Sequence, residues 1–186
     1  MEILKKYLLL MISAGLFILG FIAENRFMNR DQEKLVARRF QEVLHKQQEL
    51  LDRKLDEIIE KMESDEFDGY FQSNFNDLLP LFRENGLGFL ITDNQNLLYW
   101  SNNQFSFAGR FMRQFREEQI QFLPNGVFLS ATKTTGPYSV IGLIHLKDHY
   151  SIQNKYIENK FNVVFNTPDS YFIQLKRSTN AYPILI

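Results

Sequence analysis

Three histidines, His45, His145 and His149, are the side chains best suited to move protons or ligate metals near neutral pH, since imidazole titrates within the physiological range. His45 lies in Glu42-Val43-Leu44-His45-Lys46 and lacks the acidic, proline-containing surroundings of a phosphoacceptor, so it reads as a solvated helix residue. His145 and His149 are four apart, a metal-ligand spacing when both stand on one helix; here a strand is expected to end between them, and no third ligand follows. Gly86-x-Gly88 lacks the third glycine and the strand-turn-helix setting of a dinucleotide fingerprint, and no serine sits in a nucleophile elbow. Phosphoryl transfer from a kinase needs a phosphoacceptor His on a dimerisation helix and a nucleotide site rich in Asn and Gly. Neither set is present, so these residues are not expected to form an enzyme, and no cofactor or metal is expected.

Aromatic and amide side chains offer binding instead. Trp100, the only tryptophan, has stacking surface and a polar tip, and with Tyr99, Asn102 and Tyr138 it makes the candidate ligand-binding set. A second group, Tyr150, Asn154, Tyr156, Asn159 and Phe161, reads as structural, because Asn side chains readily hydrogen-bond to nearby backbone and fix loops or helix ends.

The elements that position these residues are bounded by composition. The chain has 186 residues, 45% of them hydrophobic and 23% charged, which is close to a globular average and excludes disorder as a description of the whole. Eighteen Phe and eight Tyr point to aromatic packing. A net charge of -1, with signs mixed along the chain, gives no concentrated basic surface for nucleic acid. The absence of cysteine excludes disulfides, thiol nucleophiles and Cys-based zinc sites.

After a short tail over residues 1–6, the charge-free run from Tyr7 to Ala23 would span roughly 25 Å as a helix. Phe21-Ile22-Ala23-Glu24 lacks the small-x-small pattern of a cleaved signal, so residues 7–23 are expected to form an uncleaved transmembrane helix. Lys5 and Lys6 precede the run while Arg26, Arg30, Lys34, Arg38 and Arg39 follow it, so the positive-charge count keeps the carboxyl side in the cytoplasm. Long segments cross largely regardless of charge, which leaves orientation to other signals.

Residues 24–63 read as a long amphipathic helix, with neither Gly nor Pro between Asn29 and Glu63. Val36, Val43 and Leu50 repeat by sevens, as do Leu44, Leu51 and Ile58, giving an apolar stripe that drifts around the helix. Gln47 and Lys54 interrupt a strict seam through Phe40, so a helix packed on its own domain competes with a homodimer through residues 29–63.

Residues 64–186 are expected to form the folded domain. Tyr70, Phe71, Phe75, Leu78, Leu79 and Phe82 suggest a short helix interrupted near Pro80 and closed by Asn85-Gly86 as a left-handed cap. Gly88–Thr92 and Leu97–Trp100 read as a hairpin, and Gly126–Thr132 with Tyr138–Ile144 as a second across Thr134-Thr135-Gly136-Pro137. Tyr150–Phe161 reads as a further helix and Tyr171–Leu175 as a last strand. The fold class is therefore α+β, with a mostly antiparallel sheet of about five strands.

The order of elements resembles the extracytoplasmic sensor region of membrane-bound two-component histidine kinases, with PAS-like or Cache-like folds. The residues that carry the resemblance are Gly88-Phe89-Leu90-Ile91 with Leu98-Tyr99-Trp100-Ser101-Asn102, Val140–Lys147, and Tyr150–Ile157 with Asn159 and Phe161. The resemblance implies a signal-input module at the inner membrane, its domain periplasmic, detecting a small-molecule or protein cue and relaying it through the membrane-proximal helix. The plan departs at Ile186, before any second span or kinase sequence. A different class of function, a single-span envelope assembly protein acting through its helix and small domain, is the alternative.

Overall fold

The computed structural model describes residues 2–64, 78–93, 96–104, 115, 119–176 and 181–184, with side chains in the first helix described at 5, 7, 10–22 and from 31 onward. Helix α1 runs Glu2–Glu63, followed by strands β1 (Leu87–Asp93), β2 (Asn96–Trp100), β3 (Ile120–Leu123), β4 (Gly126–Thr135) and β5 (Tyr138–Asp148). The chain divides into two compact units, Met1–Arg39 and Phe40–Ile186.

In the first unit the apolar side chains from Tyr7 to Ile22 include Met11 and Phe17 at 74% and 79% exposure. No helix among the described residues is long and apolar enough to cross a membrane. This corrects the transmembrane reading of residues 7–23, and with it the inner-membrane, single-pass placement and the periplasmic domain. The physical reason lies in length and composition. The 17-residue run from Tyr7 to Ala23 covers about 25 Å against the roughly 30 Å of a hydrocarbon core, and Ser13, Gly15 and Gly20 dilute it.

The second unit begins inside α1. Phe40, Leu44, Gln47, Leu51, Leu55 and Ile58 are its buried residues, spaced by four, three, four, four and three. That spacing averages one helical turn, so the buried stripe stays on one side of a straight helix and does not drift as heptads would. Val43 and Leu50, expected in the stripe, only flank it half-buried. Gln47 is a member despite its amide, and its side-chain oxygen has no hydrogen-bond partner among the described residues. Lys54 lies half-buried on the flank, 2.7 Å from Glu57, which also pairs with Lys61 at 3.6 Å. The hydrogen bond from Lys54, aided by both lysine charges and opposed by partial burial, holds the Glu57 carboxyl below its ordinary value.

All five strands pair antiparallel in the order β2-β1-β5-β4-β3. The α+β class and both expected hairpins are present. Gly136, at φ 54°, opens the two-residue turn between β4 and β5, where a primed turn requires positive φ. Residues 78–85 are helical straight through Pro80, and Gly86 ends them at φ 72° with its N–H 2.9 Å from the Phe82 carbonyl. Tyr70, Phe71 and Phe75 lie outside the described residues.

Two sequence-based elements are corrected. Tyr150–Phe161 is not a helix: the Asn154 carboxamide oxygen accepts from the N–H groups of Tyr156 and Ile157, turning the chain back on itself. Tyr171–Leu175 is not a strand: it pairs with none of the five strands, and the Tyr171 carbonyl instead accepts from the Lys147 ammonium. The fifth strand is instead β3, four residues paired with Gly126–Leu129 of β4.

The central strands β1 and β5 are buried on both sides, which is why β1 reads as an unbroken apolar run. On one side Leu87, Phe89, Ile91, Leu129, Val140 and Ile144 pack with the α1 stripe, closed by Phe161 and Phe165. On the other, Leu90, Ile141, Leu143, Phe128 and Leu123 cluster with Phe82 and Phe115. Helix and sheet approach closely at Gly142, where a Cβ would stand 2.6 Å from Leu51 Cδ1. Only a residue without a side chain fits there.

Candidate functional site: a cleft between α1 and β4

A cleft of about 460 Å³ opens beside the Leu51–Gly142 contact. Its helix wall is His45, Gln48, Glu49 and Asp52, the flank of α1 next to the buried stripe. Ala131 is its exposed apolar residue, over the buried Leu51, Leu129 and Ile144, and Gln119 and Ser130 form its opposite polar edge. The cleft exists because β3 is short: it covers β4 only as far as Leu129, after which the Ser130 N–H donates to the Gln119 carbonyl at 2.6 Å. Ala131 pairs with Gly142, so two of the smallest residues adjoin in the middle of the sheet.

A polar strap borders this cleft. Lys133 reaches from β4 to α1, with Nζ 2.7 Å from the Asp52 carboxylate and 2.5 Å from that of Asp56. Two residues on, the Thr135 hydroxyl donates to Glu63 Oε1 at 2.9 Å. Partial burial alone would lower the Lys133 pKa, but the hydrogen bonds to Asp52 and Asp56 outweigh it and raise the ammonium above its ordinary value. On the helix side, Gln41 Nε2 lies 2.6 Å from His45 Nε2.

The four residues expected to bind a ligand do not line this cleft. Tyr99 is half-buried against the core on the α1 side, whereas Trp100, exposed at 48%, pairs with Leu90 of the opposite cluster. Adjacent strand residues point to opposite faces, which separates them. Asn102 Oδ1 accepts from the Gln104 N–H at 2.7 Å, a local turn, and Tyr138 pairs with Thr135 and Asp93 at the start of β5.

The residues expected to be structural are brought together. Tyr150 N–H donates to Asn159 Oδ1 at 2.7 Å, and the Asn159 amide returns a bond to the Tyr150 carbonyl, closing a ring around the Asn154 turn. Burial, and secondarily the Asp148 charge, pushes the Tyr150 phenol up. Tyr156 is exposed, while Phe161 is buried and bridges to Lys147. Lys147, which the sequence placed only at the end of a strand, donates to the carbonyls of Asp169 and Tyr171 and lies 4.3 Å from the Phe161 ring centroid. Burial pushes its pKa down, against the pull of the Asp169 carboxylate.

The histidines stand apart. His145 stacks on Phe82 and meets Phe128 at a tilt, ring centroids 5.8 and 5.0 Å away. Its Nδ1 faces the Asn162 amide nitrogen at 3.3 Å and its Nε2 the Asp148 carboxylate at 3.2 Å. His149 is exposed, and no group of three or more metal-ligating side chains occurs among the described residues.

The Trp100 set does not converge; what α1 and β4 jointly build is a polar-rimmed cleft. No family model, curated protein or solved structure matches the chain.

Proposed function

We propose that the chain is the signal-input region of a two-component signalling protein of the sensor histidine kinase kind, in which the sheet domain takes up a cue and α1 carries the response. The observation that carries this reading is that the cleft has α1 as one wall and the sheet as the other, so an occupant touches both at once. An occupant that binds one helix–sheet arrangement better than another shifts the balance between them by its differential affinity. The residues at Gly88–Ile91, Leu98–Asn102, Val140–Lys147 and Tyr150–Phe161 resemble such sensor regions, and the β2-β1-β5-β4-β3 order with a long helix leading in agrees with a PAS-like or Cache-like plan.

Phosphoryl transfer itself would be the work of other sequence, since these residues carry no phosphoacceptor or nucleotide motif. Reading the gene past the codon for Ile186 tests this: an in-frame phosphoacceptor helix and nucleotide-binding domain support it, and a stop codon contradicts it.

One observation favours a second reading, a docking protein that assembles with a partner through its sheet edge. Edge strand β2 has no charged residue, and Leu97, Leu98 and Trp100 are 37%, 47% and 48% exposed. Such an edge invites strand addition. Under this reading Leu98→Lys abolishes partner capture while leaving cleft binding intact.

A further inference from the structure

We infer that His145 is a proton-sensitive latch: the ring holds the Asn162 side chain while Nδ1 carries no proton, and its protonation releases that side chain and loosens the turn packed on α1 at Phe40. The latch stands on the geometry around His145; its use as an input to α1 rests on the signal-input reading.

The His145 side chain is 12% exposed, with Nε2 on the Asp148 carboxylate and Nδ1 on the Asn162 amide nitrogen. The other end of that carboxamide is committed. Its oxygen accepts from the Val164 N–H at 3.2 Å and caps the 3₁₀ turn Val163–Phe165. A backbone N–H can only donate, so the oxygen turns to Val164 and the amide N–H group is left for His145. An imidazolium carries N–H at both nitrogens, and the amide then faces a second donor. A carboxamide that turns over to offer Nδ1 its oxygen takes the acceptor away from Val164. Meanwhile Asp148 gains an ion pair, so the charged ring has a partner of its own.

Among the described residues Asp148 is the charged group at the ring. Arg83 and Glu84, which follow Phe82, are exposed, as is His149. β4 presents Phe128 there. The Lys147 ammonium goes to the carbonyls of Asp169 and Tyr171, Lys160 pairs with Glu158, and the Asp169 carboxylate accepts from the Phe161 N–H.

The capped turn connects the latch to α1. Phe165 is wholly buried and stacks on Phe40, ring centroids 4.5 Å apart, while Phe161 meets Phe40 edge-on at 5.8 Å. Phe40 is the first residue of the second unit, so this contact lies where α1 enters it. The Asn162 N–H stays on the Leu146 carbonyl at 3.0 Å, which keeps the segment in place when its cap is lost.

The test follows amide exchange of the whole chain, corrected for its intrinsic pH dependence, and nitrogen NMR of the imidazoles from about pH 8 to 5. Val164 protection should fall about tenfold as His145 becomes doubly protonated. His145→Gln should remove the fall, and replacing the exposed His45 and His149 by Gln should leave it. Asn162→Asp gives oxygen acceptors to Nδ1–H and Val164 together, so it should keep the turn protected throughout and move the His145 titration to higher pH. This variant decides the matter if His145→Gln does not fold. A ring that takes up no second proton, Val164 protection unchanged while it does, or a fall that survives in His145→Gln or Asn162→Asp would overturn the latch. Protection at Val43 and Leu44 separates the signalling reading. A fall there in step with Val164 supports both, and a fall at Val164 alone retains the latch and overturns its coupling to α1.

Discussion

On one flank of α1 the contact with the sheet is dry; on the adjoining flank it is charged. Phe40, Leu44, Leu51, Leu55 and Ile58 are at most 7% exposed, and full burial of such side chains contributes about 1.5–3 kcal/mol each. Asp52, Asp56 and Glu63 face Lys133 and Thr135 across a surface that water reaches, where an ion pair contributes about 0–1 kcal/mol. The dry contact therefore sets where the helix lies, and the strap adjusts it at little energetic cost. A binding site placed against the strap acts on the part of the interface that is easiest to move.

The largest expected effect breaks the dry side. Leu55→Ala should cost about 2–5 kcal/mol in denaturant unfolding, as deletion of a wholly buried side chain leaves a cavity between α1 and the sheet. Next, Gly142→Ala places a Cβ against Leu51 and should cost about 1–3 kcal/mol. Combining it with Leu51→Ala should give less than the sum of the two losses in a double-mutant cycle; strict additivity would mean that the two residues do not meet.

Gln47→Leu sharpens the comparison from the other direction. It replaces a buried amide whose oxygen has no described partner, and should raise stability by about 1 kcal/mol as read by the denaturant midpoint. Lys133→Met should cost about 1 kcal/mol at most, a loss that high salt abolishes in the parent too. The smallest effect is a pH dependence. Because Glu57 has a folded pKa below its ordinary 4.5, its contribution is fully present above that value and fades as pH falls through the folded pKa. Urea midpoints should show this acid-side loss in the parent and less of it in Glu57→Gln.

Local features were legible in the sequence. The helix over residues 29–63 follows from propensity and the lack of Gly and Pro, and the Gly86 cap and both hairpins are signalled by residues that permit only a few backbone conformations. What depends on distant partners was not. The heptad columns suggested a drifting stripe, and only the sheet surface selects Phe40, Leu44, Gln47, Leu51, Leu55 and Ile58. A four-residue β3 is too short for a periodic signal, and Tyr171–Leu175 has strand-like residues but pairs with no strand of the sheet. The apolar run of residues 7–23 suggested a bilayer, which its length and small residues do not support.

The candidate site was the least legible. Its walls come from residues 45–52 and 119–144, and its position depends on a pairing of Ala131 with Gly142 that no spacing announces. Trp100 drew attention as the lone tryptophan, but strand alternation directs it and Tyr99 to different sides. Lys133 carried a weak signal, a charged residue among threonines in a strand otherwise free of charge.

Native-state hydrogen exchange tests most directly whether the second half of α1 is part of the sheet domain. Amides from Leu44 to Ile58 should open with the same free energy as those of β1 and β5, all at the global limit. Exchange of the helix through separate, easier openings while the two strands stay protected would contradict the account.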